Sequence, residues 1–363
     1  MTSAKTPGRP GRRRALRGVG LTLLAILLLA GVAQGLGWLW LTGAMTVGFS
    51  DWVAQQRARG WEVEHGLPER GGWPLTARLT VPDIRIAGWT SALPRGFIWE
   101  ARQLDLTIAA PWLDRLVLTA QGPQRIRAGT LSLPYTAARL QAVVPLEHGP
   151  QPRTSELILE GLRAETPNGP LTAGIFHARA TPGGGDGEPH LALQIDARQV
   201  GLPDLPDLAA FGREVESATV NAMLIAPPPP PMPMTPRDRA EAWHASSATL
   251  DLRQMLLRWG PLAGDLRMVL RLDAALQPVG QGQLTLEHPA QVVASLATAG
   301  LIAPRAAMTA GAVLGMVARV PEGGGAPRVE VPVGVEDGTI TLARIPLLRL
   351  RPITWPGESG HLR

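Results

Sequence analysis

The longest uncharged stretch of the chain lies near its N-terminus and constrains the fold more than any other feature. Residues 18–50 carry no charge over 33 positions, and the most apolar part, residues 19–41, has 23 residues. As an α-helix that part would be about 35 Å long, enough to cross a hydrocarbon core of about 30 Å. A cleaved export signal has a shorter apolar region of about 7 to 15 residues. The sequence therefore predicts a transmembrane helix over residues 18–43 and favours a retained anchor over a cleaved signal.

The charges that flank this run predict its orientation. A basic tail, residues 1–17, precedes it and contains four clustered arginines: Arg12, Arg13, Arg14 and Arg17. The next basic residue is Arg57. The excess of arginine on one side keeps that side in the cytoplasm. We therefore expect an inner-membrane protein with a cytoplasmic N-terminus and a periplasmic body, with Trp38 and Trp40 at the membrane interface.

The charge balance of the remaining chain argues against a nucleic-acid partner. The sequence pI is about 10.8, yet six of the 35 basic residues precede the apolar run, which leaves 29 basic against 30 acidic residues. Nucleic-acid binding by counterion release needs a clustered basic face, and the positive charge clusters only beside the hydrophobic segment. Cysteine is absent, which excludes disulfides, thiolate metal sites and thiol nucleophiles.

The body of the chain shows the period of two that is typical of strands with one apolar face. Residues 75–81 alternate in this way, with leucine, alanine and valine between threonine and arginine. The same alternation recurs in residues 84–86, 104–108, 116–118, 126–133, 157–159, 191–195, 248–253, 265–272, 282–286, 329–335 and 338–342. The pattern predicts a mainly β (β-rich α+β) fold with an elongated, curved, largely antiparallel sheet. A few covering helices are expected at residues 50–59, 205–215, 289–299 and 304–320.

The domain organisation is predicted from one Pro-rich segment. Residues 226–240 contain APPPPPMPMTP, which favours polyproline II and is typical of a loop or spacer. It separates a first β-rich half, residues 44–225, from a second β-rich half with two helices, residues 241–356. A tail, residues 357–363, follows. The sequence leaves open whether the two halves share one sheet.

No catalytic constellation is present. The chain lacks the nucleophile elbow, the phosphate-binding loop, the zinc-protease helix and the dinucleotide fingerprint. Its seven histidines are scattered, with none within five residues of another. His244 precedes Ser246 and Ser247, but strand neighbours point to opposite faces. Asp204 and Asp207 lie in L-P-D-L-P-D-L, a turn and helix-cap setting. We therefore predict a protein that is not an enzyme, with no cofactor, no metal and no catalytic residues.

Several short signatures resemble one bacterial family. They are the Gly-Trp-Pro strand opening at residues 72–79, the LRWGPL segment at residues 257–262, the paired glycines at residues 280–282 and the DGTI segment at residues 337–340. They resemble the domain of unknown function 2125 over roughly residues 38–356. The resemblance implies an N-terminal span and an exported body, and it supplies no site residue. The strand-rich pattern is similar to that of membrane-anchored periplasmic proteins with long sheets, some implicated in lipid traffic, which is analogy of fold alone.

Three hypotheses for function follow. A sheet with one long apolar face and few helices to cover it leaves an apolar groove, which would bind lipid or another apolar molecule. A sheet fully covered by its own helices would instead favour a scaffold that binds other envelope proteins. An enzyme would require several scattered His, Asp, Glu or Ser residues to converge in one pocket. The sequence gives no ligand-binding residues for any of these.

Overall fold

The computed structural model describes residues 11–88, 96–129, 131–146, 153–183, 190–227, 235–300, 302–320, 326–343 and 345–355. The helices are α1 (Gly11–Ala58), α2 (Pro236–Ala245), α3 (Pro289–Thr298) and α4 (Pro304–Val317), with a 3-10 helix at Pro206–Phe211. The strands are β1 (Glu62–Glu64), β2 (Glu69–Gly71), β3 (Thr76–Gly88), β4 (Phe97–Ala109), β5 (Trp112–Ala128), β6 (Leu131–Thr136), β7 (Arg139–Pro145), β8 (Ser155–Thr166), β9 (Gly169–Gly183), β10 (His190–Gly201), β11 (Glu214–Ile225), β12 (Thr249–Trp259), β13 (Leu262–Leu272), β14 (Pro278–Glu287), β15 (Arg328–Glu336), β16 (Thr339–Leu342) and β17 (Ile345–Arg349). The first ten residues of the predicted basic tail, most of the proline run and the tail at residues 357–363 lie outside the described residues.

The 17 strands of the described residues form one antiparallel sheet, and their pairing follows the order of the chain. Strands β1 and β2 lie end to end along one edge of β3, where β1 pairs with residues 85–87 and β2 with residues 78–80. Strands β6 and β7 together fill the position between β5 and β8. From β8 to β17 each strand pairs with the next. The predicted mainly β fold with a largely antiparallel sheet is confirmed.

The two β-rich halves belong to the same sheet. Strand β11, before the Pro-rich segment, pairs with β12, after it, from Val215 opposite Trp259 to Ile225 opposite Thr249. The segment therefore connects two adjacent strands of one ladder, and α2 lies within that connection. Helix α2 has no counterpart in the sequence prediction. It begins with a capping box in which Thr235 and Asp238 satisfy each other's backbone N–H groups, with Pro236 in the first turn.

Other local predictions need correction. The sequence prediction has no strand at β1, β2, β7, β9 or β11. Strand β9 is rich in Gly, Ala and Pro, which have low strand propensity, and its pairing with β8 and β10 outweighs that propensity. The predicted helix at residues 205–215 is only one 3-10 segment, because Gly212 at φ 81 ends it and β11 begins at Glu214. Strand β17 lies within the predicted second β-rich half, where the sequence prediction has no strand after residue 342. The predicted helices at residues 289–299 and 304–320 are confirmed as α3 and α4.

Helix α1 is longer than the predicted span and absorbs the separate helix predicted at residues 50–59. Its C-terminal half packs on the sheet, where Met45, Phe49 and Val53 are buried against β3 and β4. Thr42 is fully buried. Upstream, Leu27 and Leu29 are exposed. One continuous helix therefore has a half that contacts the sheet and a half whose apolar side chains contact little protein.

A row of irregular backbone positions crosses the sheet from β3 to β11. Four of its members have positive φ: Asp83 (48°), Gly122 (77°), Gly161 (61°) and Gln199 (54°). The other four members are the residues that the register places opposite these on neighbouring strands, namely Arg102, Ala138, Gly174 and Glu216. We call these eight residues the crease. Left-handed residues and bulges bend a strand and increase its twist, so a row of them bends the sheet along one line.

Candidate functional site

The sheet has one face on which cross-strand partners are apolar from β7 to β15, which we call the apolar face. Side chains of directly paired residues project to the same side, so the registers define rows. One row contains Leu140, Leu159, Phe176, Ala197, Ala218, Leu257, Gly264, Leu286 and Val329. The next contains Ala142, Leu157, Ala178, Ile195, Val220, Met255, Leu266, Leu284 and Val331. Both rows cross nine strands without a polar side chain.

The opposite face is polar and carries ion pairs between neighbouring strands. The Glu156 carboxylate lies 3.3 Å from Arg179 Nε, and the Glu160 carboxylate lies 3.3 Å from Arg139 Nη1. The Thr219 hydroxyl donates to Asp196 Oδ1 at 3.0 Å. Burying charged and hydroxyl groups costs free energy that leaving them in water does not. The sheet is therefore solvated on this face, and the apolar face is the one that requires cover.

Among the described residues, α1 and α4 cover the two ends of the apolar face, and the 3-10 helix packs Phe211 against Trp259 of β12. Helix α1 packs over β3 and β4 at one end. At the other end Leu286, Val329 and Val331 are buried in a cluster to which Leu314 of α4 contributes. The principal helix contacts in the described part of the chain are with β1, β3 and β13, between α3 and α4, and between α3 and the 3-10 helix. Over β7–β12 the apolar face thus has no helical lid among these contacts, and most of its side chains there are half-buried.

A short chain of hydrogen bonds interrupts the apolar face between β4 and β6. Trp99 Nε1 donates to the Tyr135 hydroxyl at 3.0 Å, and that hydroxyl donates to Gln124 Oε1 at 2.8 Å. Tyr135 and Gln124 are both buried. Burial raises the pKa of Tyr135 above its ordinary value, and the hydrogen bond from Trp99 opposes this shift more weakly. The groups satisfy one another, which is the condition for burying them in an apolar surface.

The comparison with protein families confirms the resemblance found in the sequence. The family described as an uncharacterized protein conserved in bacteria, DUF2125, matches residues 38–351. The chain belongs to the DUF2125 family. In this DUF2125 protein the match begins at Trp38, where α1 reaches the sheet, and ends just after β17. No curated protein and no solved structure matches the chain.

The residues predicted to set membrane orientation and the interface lie on α1 of the DUF2125 protein. The backbone of Arg12, Arg13, Arg14 and Arg17 belongs to α1, and their side chains lie outside the described part of the structure. Trp38 is half-buried and donates from Nε1 to the carbonyls of Gly71 at 3.3 Å and Thr76 at 3.1 Å. Trp40 is exposed. The two tryptophans therefore differ, one facing the sheet and the other facing away, and their interface role stays a prediction.

Two of the polar residues singled out in the sequence, His244 and Ser246, contact backbone carbonyl groups. His244 and Ser246 lie at the end of α2 rather than in a strand: His244 Nδ1 lies 3.0 Å from the Leu272 carbonyl, and the Ser246 hydroxyl donates to Ala242 at 2.8 Å. The helix-cap role predicted for Asp204 is wrong, because the N-cap of the 3-10 helix is Leu205 and no side chain caps it; the side chain of Asp207 lies outside the described part of the structure. Among the residues that the structure describes, no three His, Asp and Glu side chains lie together as a metal site requires.

Sequence reasoning missed the rows of the apolar face and the Trp99–Tyr135–Gln124 chain of the DUF2125 protein. The alternation within single strands was the signal for the rows of the apolar face. It identifies which residues share a face, but it does not identify which strands are neighbours. No sequence signal exists for the second. The hydrogen bonds join residues 11 and 36 positions apart, and only the register brings them together.

Proposed function

We propose that this DUF2125 protein is a single-pass inner-membrane protein whose non-enzymatic periplasmic body binds lipid acyl chains on its apolar face. The observation that carries the proposal is the pair of uninterrupted apolar rows across β7–β12, without a helical lid among the principal helix contacts of the described residues. A contiguous apolar surface of this extent is typical of a binding site. Each methylene of a bound acyl chain would contribute about 0.8 kcal/mol on leaving water.

Helix α1 supports the anchoring part of the proposal. It is the one helix among the described residues that is long and apolar enough to cross a membrane. Its upstream leucines are exposed, which would be costly in water and is favourable in lipid. Gln34 Nε2 donates to the Pro74 carbonyl at 2.7 Å, and the buried residues from Thr42 onward belong to the core of the sheet. These contacts favour a helix that stays attached to the body, with the arginine-rich end in the cytoplasm.

The uncovered face favours a lipid ligand over the alternative of a scaffold for other envelope proteins. A scaffold would be expected to satisfy its own apolar face with its helices and to present a polar or mixed outer surface to partners. Here the principal helix contacts in the described part of the chain fall at the ends of the sheet. The scaffold remains a distinct outcome of the experiment below.

Photocrosslinking from the two faces of one strand tests the proposal. Phe176 lies on the apolar face, and its neighbour Ile175 lies on the opposite face and is exposed. With p-benzoylphenylalanine at either position in the full-length chain, irradiation of intact cells and mass spectrometry should reveal phospholipid adducts at position 176 and none at position 175. Since Ile175 is the more exposed residue, accessibility alone would give the reverse.

Two results would count against acyl-chain binding. Equal adducts at both positions would indicate contact without a site. Protein adducts at position 176 in place of lipid would favour the scaffold.

A further inference from the structure

Two adjacent turns, one of which contacts α1, expose large apolar side chains that the sheet does not bury. Trp73 and Leu75, before β3, are 59% and 78% exposed, and Trp112 and Leu113, at the start of β5, are each 58% exposed. The turns are adjacent because Thr76 pairs with Ala109, and Ala109 pairs with Trp112. We call these four residues the collar. Two Trp and two Leu side chains in one place are a costly surface to leave in water.

The collar lies beside the part of α1 where the exposed upstream half ends and the half that packs on the sheet begins. Gln34 and Trp38 make hydrogen bonds to backbone carbonyls of residues 71–76, and Trp73 lines a shallow apolar pocket with α1 residues that include Leu36 and Leu39. From Arg17 to Trp38 the helix rises roughly 32 Å, against a hydrocarbon core of about 30 Å. If the arginine cluster lies at the cytoplasmic boundary, the collar lies at the opposite boundary.

Cationic groups beside the collar match the chemistry of a phospholipid surface. The Arg115 guanidinium lies 4.8 Å from the centre of the Trp112 ring, and its Nε lies 3.7 Å from the Asp114 carboxylate, which Arg153 also contacts at 3.3 Å. Arg70 on β2 and Arg78 on β3 are exposed beside the other turn, residues 71–76. Tryptophan is enriched at membrane interfaces, and arginine is attracted to anionic headgroups while its stem lies along apolar surface. This combination favours lipid over a protein partner as the cover.

We propose that the collar inserts into the periplasmic leaflet of the membrane that α1 crosses. The body would then be held against the bilayer by α1 and by the two turns, and the β3 end of the apolar face would lie beside lipid. The inference rests on the anchoring role of α1 in the proposed function and not on the ligand of the apolar face. The collar would thereby fix the tilt of the sheet relative to the membrane, which one helix alone cannot do.

The absence of cysteine makes a direct depth measurement possible. Single-cysteine variants Leu75→Cys and Leu113→Cys would carry an environment-sensitive fluorophore in the full-length chain, reconstituted in phosphatidylethanolamine and phosphatidylglycerol vesicles. Leu29→Cys, on the unsupported half of α1, reports the anchor. Val269→Cys is the matched control, since it is 50% exposed on the polar face of β13. Lipids with a quencher at known depths along the acyl chain measure the depth of each label.

We expect quenching at positions 75 and 113 at a shallower depth than at position 29, and none at position 269. Quenching at position 29 with positions 75 and 113 behaving like 269 would overturn the collar and leave the anchor intact. An unquenched label at position 29 would overturn both the anchor and the collar. Blue-shifted emission at positions 75 and 113 without quenching by lipid would mean that a protein or a second copy of the chain covers the collar. An unchanged circular dichroism spectrum and melting temperature would establish that each variant is folded.

Discussion

Tyr135 is the only tyrosine of the chain and the centre of its buried hydrogen-bond chain. Because burial raises the pKa of its phenol, the folded protein holds the proton at pH values where the unfolded chain releases it. We expect the ultraviolet absorbance of tyrosinate to appear in the folded protein only above the ordinary value of about 10. Titration of this absorbance reports Tyr135 alone. A midpoint at or below 10 would contradict the burial of this side chain.

The same shift has a consequence for stability. A group whose pKa is raised by folding contributes stability that is fully present below the pKa of the unfolded chain and falls as pH rises from that value through the folded pKa. The free energy of unfolding should therefore decline above pH about 10. In Tyr135→Phe this part of the decline should disappear, while at neutral pH the variant should be less stable by about 1–3 kcal/mol, because Gln124 and Trp99 lose their partner. The only lysine, Lys5, precedes the described residues, so lysine titration does not obscure the comparison.

At the scale of elements, the crease predicts which glycines of the sheet resist substitution. Gly161 has a φ of +61°, and a Cβ added there would lie 3.0 Å from the Ala138 Cβ. Gly161→Ala combines left-handed strain with this contact and should lower the free energy of unfolding by about 1–3 kcal/mol. Gly71→Ala is the control, since Gly71 lies in β2 without positive φ and with no atom within 4 Å of the added Cβ. Urea unfolding of both variants measures the difference, and an equal loss for the two would show that the crease does not strain residue 161.

The elements also show what local sequence patterns can predict. The alternation in β3, β12 and β15 identifies both the strand and its apolar face, because a period of two is a property of one strand. The crease could not be predicted, since it depends on the register that places Gly161 opposite Ala138 and Gln199 opposite Gly174. The docking of α1 was missed for a related reason. An apolar run such as residues 19–41 has no polar stripe to indicate which of its residues pack against the sheet.

At the scale of the whole molecule, one continuous ladder predicts that the halves on either side of the Pro-rich segment stay together without it. A protease site inserted after Met232 would cut the connection between β11 and β12. Because these strands pair from Val215 and Trp259 to Ile225 and Thr249, we expect the two fragments to coelute in size-exclusion chromatography and to separate only in denaturant. Uncut protein of the same variant is the control. Fragments that separate under native conditions would indicate two independent domains.

The order of pairing in the sheet determines how such a chain can assemble. Since each new strand joins one that has just preceded it, the ladder can lengthen hairpin by hairpin as the polypeptide is synthesised, with little need for distant segments to find each other. A growing sheet always ends in an edge strand with unpaired backbone N–H and C=O groups, and such an edge can pair with another chain. The partly synthesised protein is therefore more prone to associate with other chains than the complete protein, and its first strands are those that pack against α1.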